Sequence, residues 1–280
     1  MRHPYSLKDR LLGFACAVAA LGAFIGFAWI VIDLAWRGAG QLSWEFATGE
    51  VEEAGREGGV GPVLVSTALI LLVSLLVALP LGTACAAWLS EFARPDHFFT
   101  RCIRGGIALL ASVPSIVFGL FGMVFFCQIL GLGFSLTAGG LTLACMVLPI
   151  TIATAYAGFQ AVPDEVRQSA AACGMSKSAT IWYLLLPGAM PGVAAGLTLG
   201  TGRAAAETAA LLFTSGYATR WPRGLDDSGR ALSVHIYDMA MNVPGGAKNA
   251  AASAILLLLC LLAINAVASA ISERWLQSKI

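Results

Sequence analysis

The sequence predicts an all-α membrane protein with six transmembrane helices and one structured loop on the cytoplasmic side. Three observations predict it. Hydrophobic residues make up 58% of the 280 positions and charged residues 12%, about half the charged share of a soluble domain. Six apolar runs, at approximately 11–36, 63–89, 107–131, 138–160, 190–213 and 250–272, match the ~20 residues that a helix needs to cross hydrocarbon. The runs lack the alternation over about ten residues that marks barrel strands. Backbone groups in lipid must bond within their own segment, so the runs are helices.

The first run exceeds the apolar core of a cleaved leader, about 7–15 residues, and no small-x-small site with a polar exit follows it. It reads as a retained helix. The loop behind it is acidic, with Glu45, Glu50, Glu52, Glu53 and Glu57. The third run carries Pro114 between Ser112 and Ser115. Proline cannot donate to the helix ladder and frees a carbonyl about one turn earlier. One reading is a kink whose serines bond their own backbone. The other is a broken helix that presents polar groups near the midplane, as transporter sites do.

Between the fourth and fifth runs lies the stretch 161–189. Pro163, Asp164 and Glu165 form a helix start, with proline in the first turn and acids at the positive end of the helix dipole. RQSAAAC follows, and Gly174 should end that helix. Ser176 can cap a second one, which should stop before Pro187. The loop therefore reads as two short helices at an angle.

The fifth run contains Gly192, Gly196 and Gly200, a four-residue stripe that lets another helix approach closely. It continues to Arg203 and Glu207. A charge at mid-membrane costs about 2.5–3.5 kcal/mol on insertion scales, so the pair should face a bundle interior or a wet cavity. As an internal strut, Arg203 and Glu207 would neutralise each other. As a transport element, Arg203 would offer an oxyanion two parallel hydrogen bonds, and Glu207 would hold it between cargoes.

Lys and Arg are biased to one side. Arg2, Lys8, Arg10, Arg94, Arg101, Arg104, Arg167, Lys177, Arg274 and Lys279 fall on the side of the termini and even-numbered loops. The other side has Arg37, Arg56, Arg220, Arg223, Arg230 and Lys248. Both termini should be cytoplasmic. The net charge of +1 gives no field for nucleic acid. Seven scattered cysteines without a CxxC spacing suggest neither zinc nor disulfides. Three histidines without HExxH give no metal cluster, which argues against an intramembrane hydrolase. The chain has no GxxxxGK[ST] loop, so it should not hydrolyse ATP alone. A simple channel would need no structured cytoplasmic loop.

The 161–189 stretch resembles the EAA loop of ABC importer permeases: Glu-Ala-Ala, three residues, Gly, nine residues, an aliphatic, one residue, Leu-Pro. The frame falls on Gln168, Ser169, Ala170, Gly174, Leu184, Leu186 and Pro187, with Gln168 in place of Glu and Ser169 in place of Ala. LPLGTACAAWLSEFA (79–93), SVPSIVFGLFG (112–122), LTAGGLTLACMVLPI (136–150) and GRAAAETAALLFT (202–214) are similar to phosphate importer permeases of the PstA type. Ala206 stands where that family usually has Gly, and Ala210 where Pro is common.

The resemblance implies a type I importer permease. Residues 1–62 would form the N-terminal helix and acidic loop, and 63–280 the permease core. The loop would dock on a cytoplasmic ATPase, and Arg203, Glu207, Ser112, Pro114 and Ser115 would line the substrate path. It also implies a second similar permease, two ATP-binding subunits and an extracytoplasmic phosphate-binding protein as partners. ATP would be held by a partner, with no cofactor on this chain. The first loop and Trp221, Arg223 and Asp226 of the fifth would face the binding protein, in a prokaryotic inner membrane.

Overall fold

A computed structural model describes residues 7–94 and 96–277. Five helical segments are long and apolar enough to cross a membrane: Leu11–Gln41, Gly61–Glu91, Leu136–Ala161, Lys177–Ala205 and Ala247–Ala270. A sixth crossing is a broken pair, Phe98–Ser112 and Ser115–Ile129, bent by 104°. In chain order, α1 is Leu7–Gly38, α2 Trp44–Thr48, α3 Gly61–Glu91, α4 Phe98–Ser112 and α5 Ser115–Gly122. They are followed by α6 Leu136–Ala161, α7 Asp164–Ala172, α8 Lys177–Thr180 and α9 Leu186–Ala205. The last three are α10 Ala209–Leu212, α11 Leu232–Met241 and α12 Ala247–Gln277.

Loop contacts sort the two ends of the bundle. Trp221 donates to the Glu50 carboxylate at 3.0 Å, and Asn249 donates to the Gly55 and Arg56 carbonyls at 2.8 Å. The Leu136 and Thr137 amides donate to the Asp227 and Leu225 carbonyls. The first, third and fifth loops therefore share one end. At the opposite end Arg167 meets Glu91, joining the second and fourth loops. This alternation means that α4 and α5 together carry the chain across once. The first loop is itself folded: Ser43 caps α2, Phe46 is buried, and Val51–Glu52 (β1) pairs antiparallel with Glu57–Gly58 (β2).

The core lies among α3, α6 and α9, and small residues set its spacing. A Cβ on Gly192 would stand 2.5 Å from the Gly158 Cα; one on Gly196 would stand 2.6 Å from the Thr154 hydroxyl, and one on Gly200 2.7 Å from Val147. The glycine stripe thus lies flat on α6, as its spacing predicts. Gly82 of α3 sits as tightly on Thr151 of the same helix. Inside α6 the Thr142 hydroxyl donates to the Ala138 carbonyl and the Thr151 hydroxyl to the Val147 carbonyl, each one turn back in the same helix. No polar demand is left for lipid to meet at those positions.

Two runs and one loop helix differ from their sequence reading. The third is not a single kinked helix. Val113 and Pro114 are extended, with ψ of 128° and 143°; the residue before a proline is driven out of the helical region, and here that exclusion turns the chain through a right angle. The fifth run does not continue to 213: α9 stops at Ala205 and α10 begins at Ala209. The second loop helix does not end before Pro187 either. Lys177–Ala205 is one span, with a widened π turn at Ile181–Leu185 that ends one residue short of the proline. A π turn relieves the clash between the proline ring and the carbonyl four residues earlier, so the helix passes through.

Candidate functional site

The loop at 162–177 is a built structure. Asp164 and Glu165 occupy the first turn of α7, behind Pro163. At its far end the Gly174 amide donates to the Ala171 carbonyl, and the Met175 amide to the Ala170 carbonyl at 3.0 Å. That pair of bonds is a Schellman closure. It needs a left-handed residue, and Gly174 supplies it with φ +72°. Nothing lies within 4 Å of a Cβ placed there, so the requirement at Gly174 is conformational, not steric. The Ser176 hydroxyl then accepts from the Ala179 amide at 3.2 Å and starts α8.

The frame residues divide between a free face and a seat. Gln168, Ser169 and Gly174 are exposed, Ala170 is buried, and Leu184, Leu186 and Pro187 are half-buried on the helix that leads into α9. On the inward side of α7 is Arg167, which the sequence reading uses only for orientation. Its guanidinium donates to Glu91 at 2.9 Å, to the Phe159 and Val162 carbonyls at 2.9 and 2.8 Å, and to Asp164 at 3.2 Å. Glu91 raises the Arg167 pKa further, which keeps the cation fixed. A lone acid at the end of an apolar run, in the phrase WLSEFA, is the signal for Glu91; its partner 76 residues away is not visible in the sequence.

The substrate-path candidates sit at the two helix breaks. Arg203 is in the last turn of α9 and exposed. Gly200, one turn before it, faces Val147 in the middle of α6, so Arg203 is deep in the bundle's length. Glu207 does not hold it. No ion pair among the described residues includes Arg203 or Glu207. The helix ends between them, so the four-residue spacing no longer puts them on one face. The Glu207 carboxylate instead accepts from the Ala210 amide at 3.2 Å and caps α10. Its carbonyl accepts from the Ser233 hydroxyl at 2.6 Å.

At the other break, the Ser112 hydroxyl donates to the Leu109 carbonyl of its own helix, and no side-chain hydrogen bond of Ser115 occurs among the described residues. Val113 packs against the cluster that holds Ala204, Ala205 and Ala210, so the two breaks border one core. The glycine at 119 seals them: a Cβ there would meet the Ala210 Cα at 2.8 Å. The elbow borders an open apolar pocket of about 300 Å³ lined by Leu110, Phe118 and Leu148.

A family model described as the binding-protein-dependent transport system inner membrane component matches residues 78–279. The probable ABC transporter permease protein YqgI of Bacillus subtilis is 30% identical over 95% of this chain and 92% of its own length. The phosphate transport system permease protein PstA 2 of Mycobacterium bovis is 30% identical over 79% of this chain and 73% of its own. Among solved structures, a bacterial ABC transporter involved in the import of the acidic polysaccharide alginate aligns with a TM-score of 0.66 at 16% identity, over 96% of this chain and 97% of that one. That likeness concerns the fold.

Proposed function

The chain belongs to the family of binding-protein-dependent transport system inner membrane components, and from that premise we propose that it is the permease subunit of an ATP-driven phosphate importer. The observation that carries the cargo is the similarity to a phosphate permease across four-fifths of the chain. The chemistry agrees. Arg203 is a charge deep in an apolar bundle without an ion-pair partner among the described residues, and guanidinium offers a tetrahedral oxyanion two parallel hydrogen bonds. Pro114, Ser112 and Ser115 would line the same path at the neighbouring break. Glu207 supports that path by capping α10 and setting where the break falls.

The exposed face of α7, with Gln168 and Ser169, would dock on the ATPase, and Ala170, Gly174, Leu184, Leu186 and Pro187 would hold its shape. Gln168 keeps the polar reach of the family's Glu without its charge. ATP would be bound and hydrolysed on two partner subunits. A second, similar permease would complete the path, and a phosphate-binding protein would deliver cargo to the end where the first and fifth loops meet. That end would be extracytoplasmic and both termini cytoplasmic. The test is ATP hydrolysis by the purified complex with its binding protein, compared in phosphate, sulfate and methylphosphonate. Stimulation by phosphate above the other two supports the reading; preference for another anion refutes the cargo assignment.

A further inference from the structure

Resting on the reading of 162–177 as the ATPase-docking loop, we propose that Arg167 and Glu91 form the joint through which α7 moves α3 and α6 as one body. Both are then positioning residues in coupling. Neither belongs to the docking face or to the substrate path.

Apart from Arg167, α7 rests on the buried Ala170 and on Val166, which packs on the cluster of Phe159 and Val162. The helix has nine residues, is mostly exposed, and leaves α6 through the extended Val162–Pro163 turn. Left to that turn, a push on α7 would bend the connection and leave the spans where they are. Arg167 closes this escape. Its Nη2 donates to Glu91 Oε1 at 2.9 Å, and its Nε reaches both carboxylate oxygens at 3.2 and 3.3 Å. Nη1 and Nη2 also bond the Val162 and Phe159 carbonyls, at the C-terminal end of α6. One planar group therefore ties α7 to α6, by capping that helix's negative end, and to α3, by a forked ion pair.

The other arm of the loop reaches the same place. Lys177, at the start of α8, stands 5.4 Å over the Phe92 ring, one residue beyond Glu91. The end of α3 is thus gripped from both sides of the loop. The Arg167 and Glu91 side chains are 23% and 14% exposed. A pair this shielded, with its fork filled, is stiff, and removal of one partner leaves a charge uncompensated. Since α3, α6 and α9 form the core, a displacement passed to two of them is passed to the helices that flank Arg203.

The test reconstitutes the whole complex with Glu91→Gln, Arg167→Met, both changes together, and Arg167→Lys. Phosphate moved per ATP hydrolysed is measured beside the amount of ATPase subunit that co-purifies. Each single change should leave the ATPase bound and turning over, while phosphate per ATP falls about tenfold, within the usual range of coupling between sites. The double change should fall no further, because one interaction has been removed. Arg167→Lys should lie between, since it keeps the charge and loses the fork. If Arg167→Met does not insert, the near-isosteric Glu91→Gln carries the comparison alone. An unchanged phosphate-to-ATP ratio in Glu91→Gln, with only a lower melting temperature, overturns the joint. Failure of the docking reading looks different: Gly174→Val would then retain the ATPase as well as the unaltered chain does.

Discussion

Arg203 and Glu207 show how far one pair of residues can be read from sequence. Their depth and their polarity were legible, because an apolar run cannot hide two charges from lipid. Their relation was not: four-residue spacing implies contact only if the helix continues, and the Ser233 hydroxyl that helps to end it lies 26 residues away. A double-mutant cycle on the two residues has a definite expectation. Arg203→Met should reach the membrane and lose uptake, and adding Glu207→Met should not restore it, because the two side chains do not neutralise each other. Glu207→Gln keeps an acceptor for the Ala210 amide and should retain transport. Uptake per assembled complex checks all three, and recovery in the double variant would return the pair to a strut.

His235 gives a second expectation at this scale. It is fully buried in α11, outside the spans, and neither ring nitrogen has a hydrogen-bond partner among the described residues. Burial first, then the charge of Arg230, against a weaker pull from Asp238, lowers its pKa from 6.5 to about 4. The folded chain therefore holds it neutral while the unfolded chain protonates below its ordinary pKa. Its contribution is complete at neutral pH and is lost as pH falls from 6.5 toward 4, by about 3 kcal/mol at most. Melting curves in detergent at pH 7 and pH 5 should converge more for His235→Met than for the unaltered chain; an equal drop in both would assign the acid sensitivity elsewhere.

At the scale of elements, small residues and prolines were legible and their consequences only partly so. The stripe at Gly192, Gly196 and Gly200 announced a close helix contact, and α6 makes it. Pro114 announces an interruption of the helix; the 104° angle, and the close approach of Gly119 to Ala210 beside it, are contained in no local pattern. The sequence puts a stop at Pro187 because a proline usually ends a regular helix; the π turn before it is a tertiary accommodation. It also puts a helix end at Gly174, and the structure has one there, with the positive φ that explains it. Gly174→Asn should therefore be tolerated far better than Gly174→Val, since asparagine enters the left-handed region and a β-branched residue does not. ATPase co-purification distinguishes them. Gly192→Val should act differently, by collision with Gly158, and destabilise the bundle by about 1–3 kcal/mol, visible as a lower melting temperature with the loop intact.

For the whole molecule, the structure groups the loops at two ends, and the Lys and Arg bias is the basis of the proposal for which end faces the cytoplasm. In a background without exposed cysteines, Glu57→Cys should react with an impermeant thiol reagent from outside the cell, and Lys177→Cys should not. The reverse pattern would invert the orientation and put the docking face on the wrong side for ATP. The central claim, that this permease passes phosphate at the expense of ATP, is tested most directly by uptake. The complete complex is placed in vesicles with ATP inside and binding protein outside, and labelled phosphate is followed with sulfate and methylphosphonate in competition. Phosphate should accumulate against its gradient only with ATP, unabated by the competitors, and should stop accumulating with Arg203→Met. Accumulation without ATP, or faster accumulation of either competitor, would contradict the account.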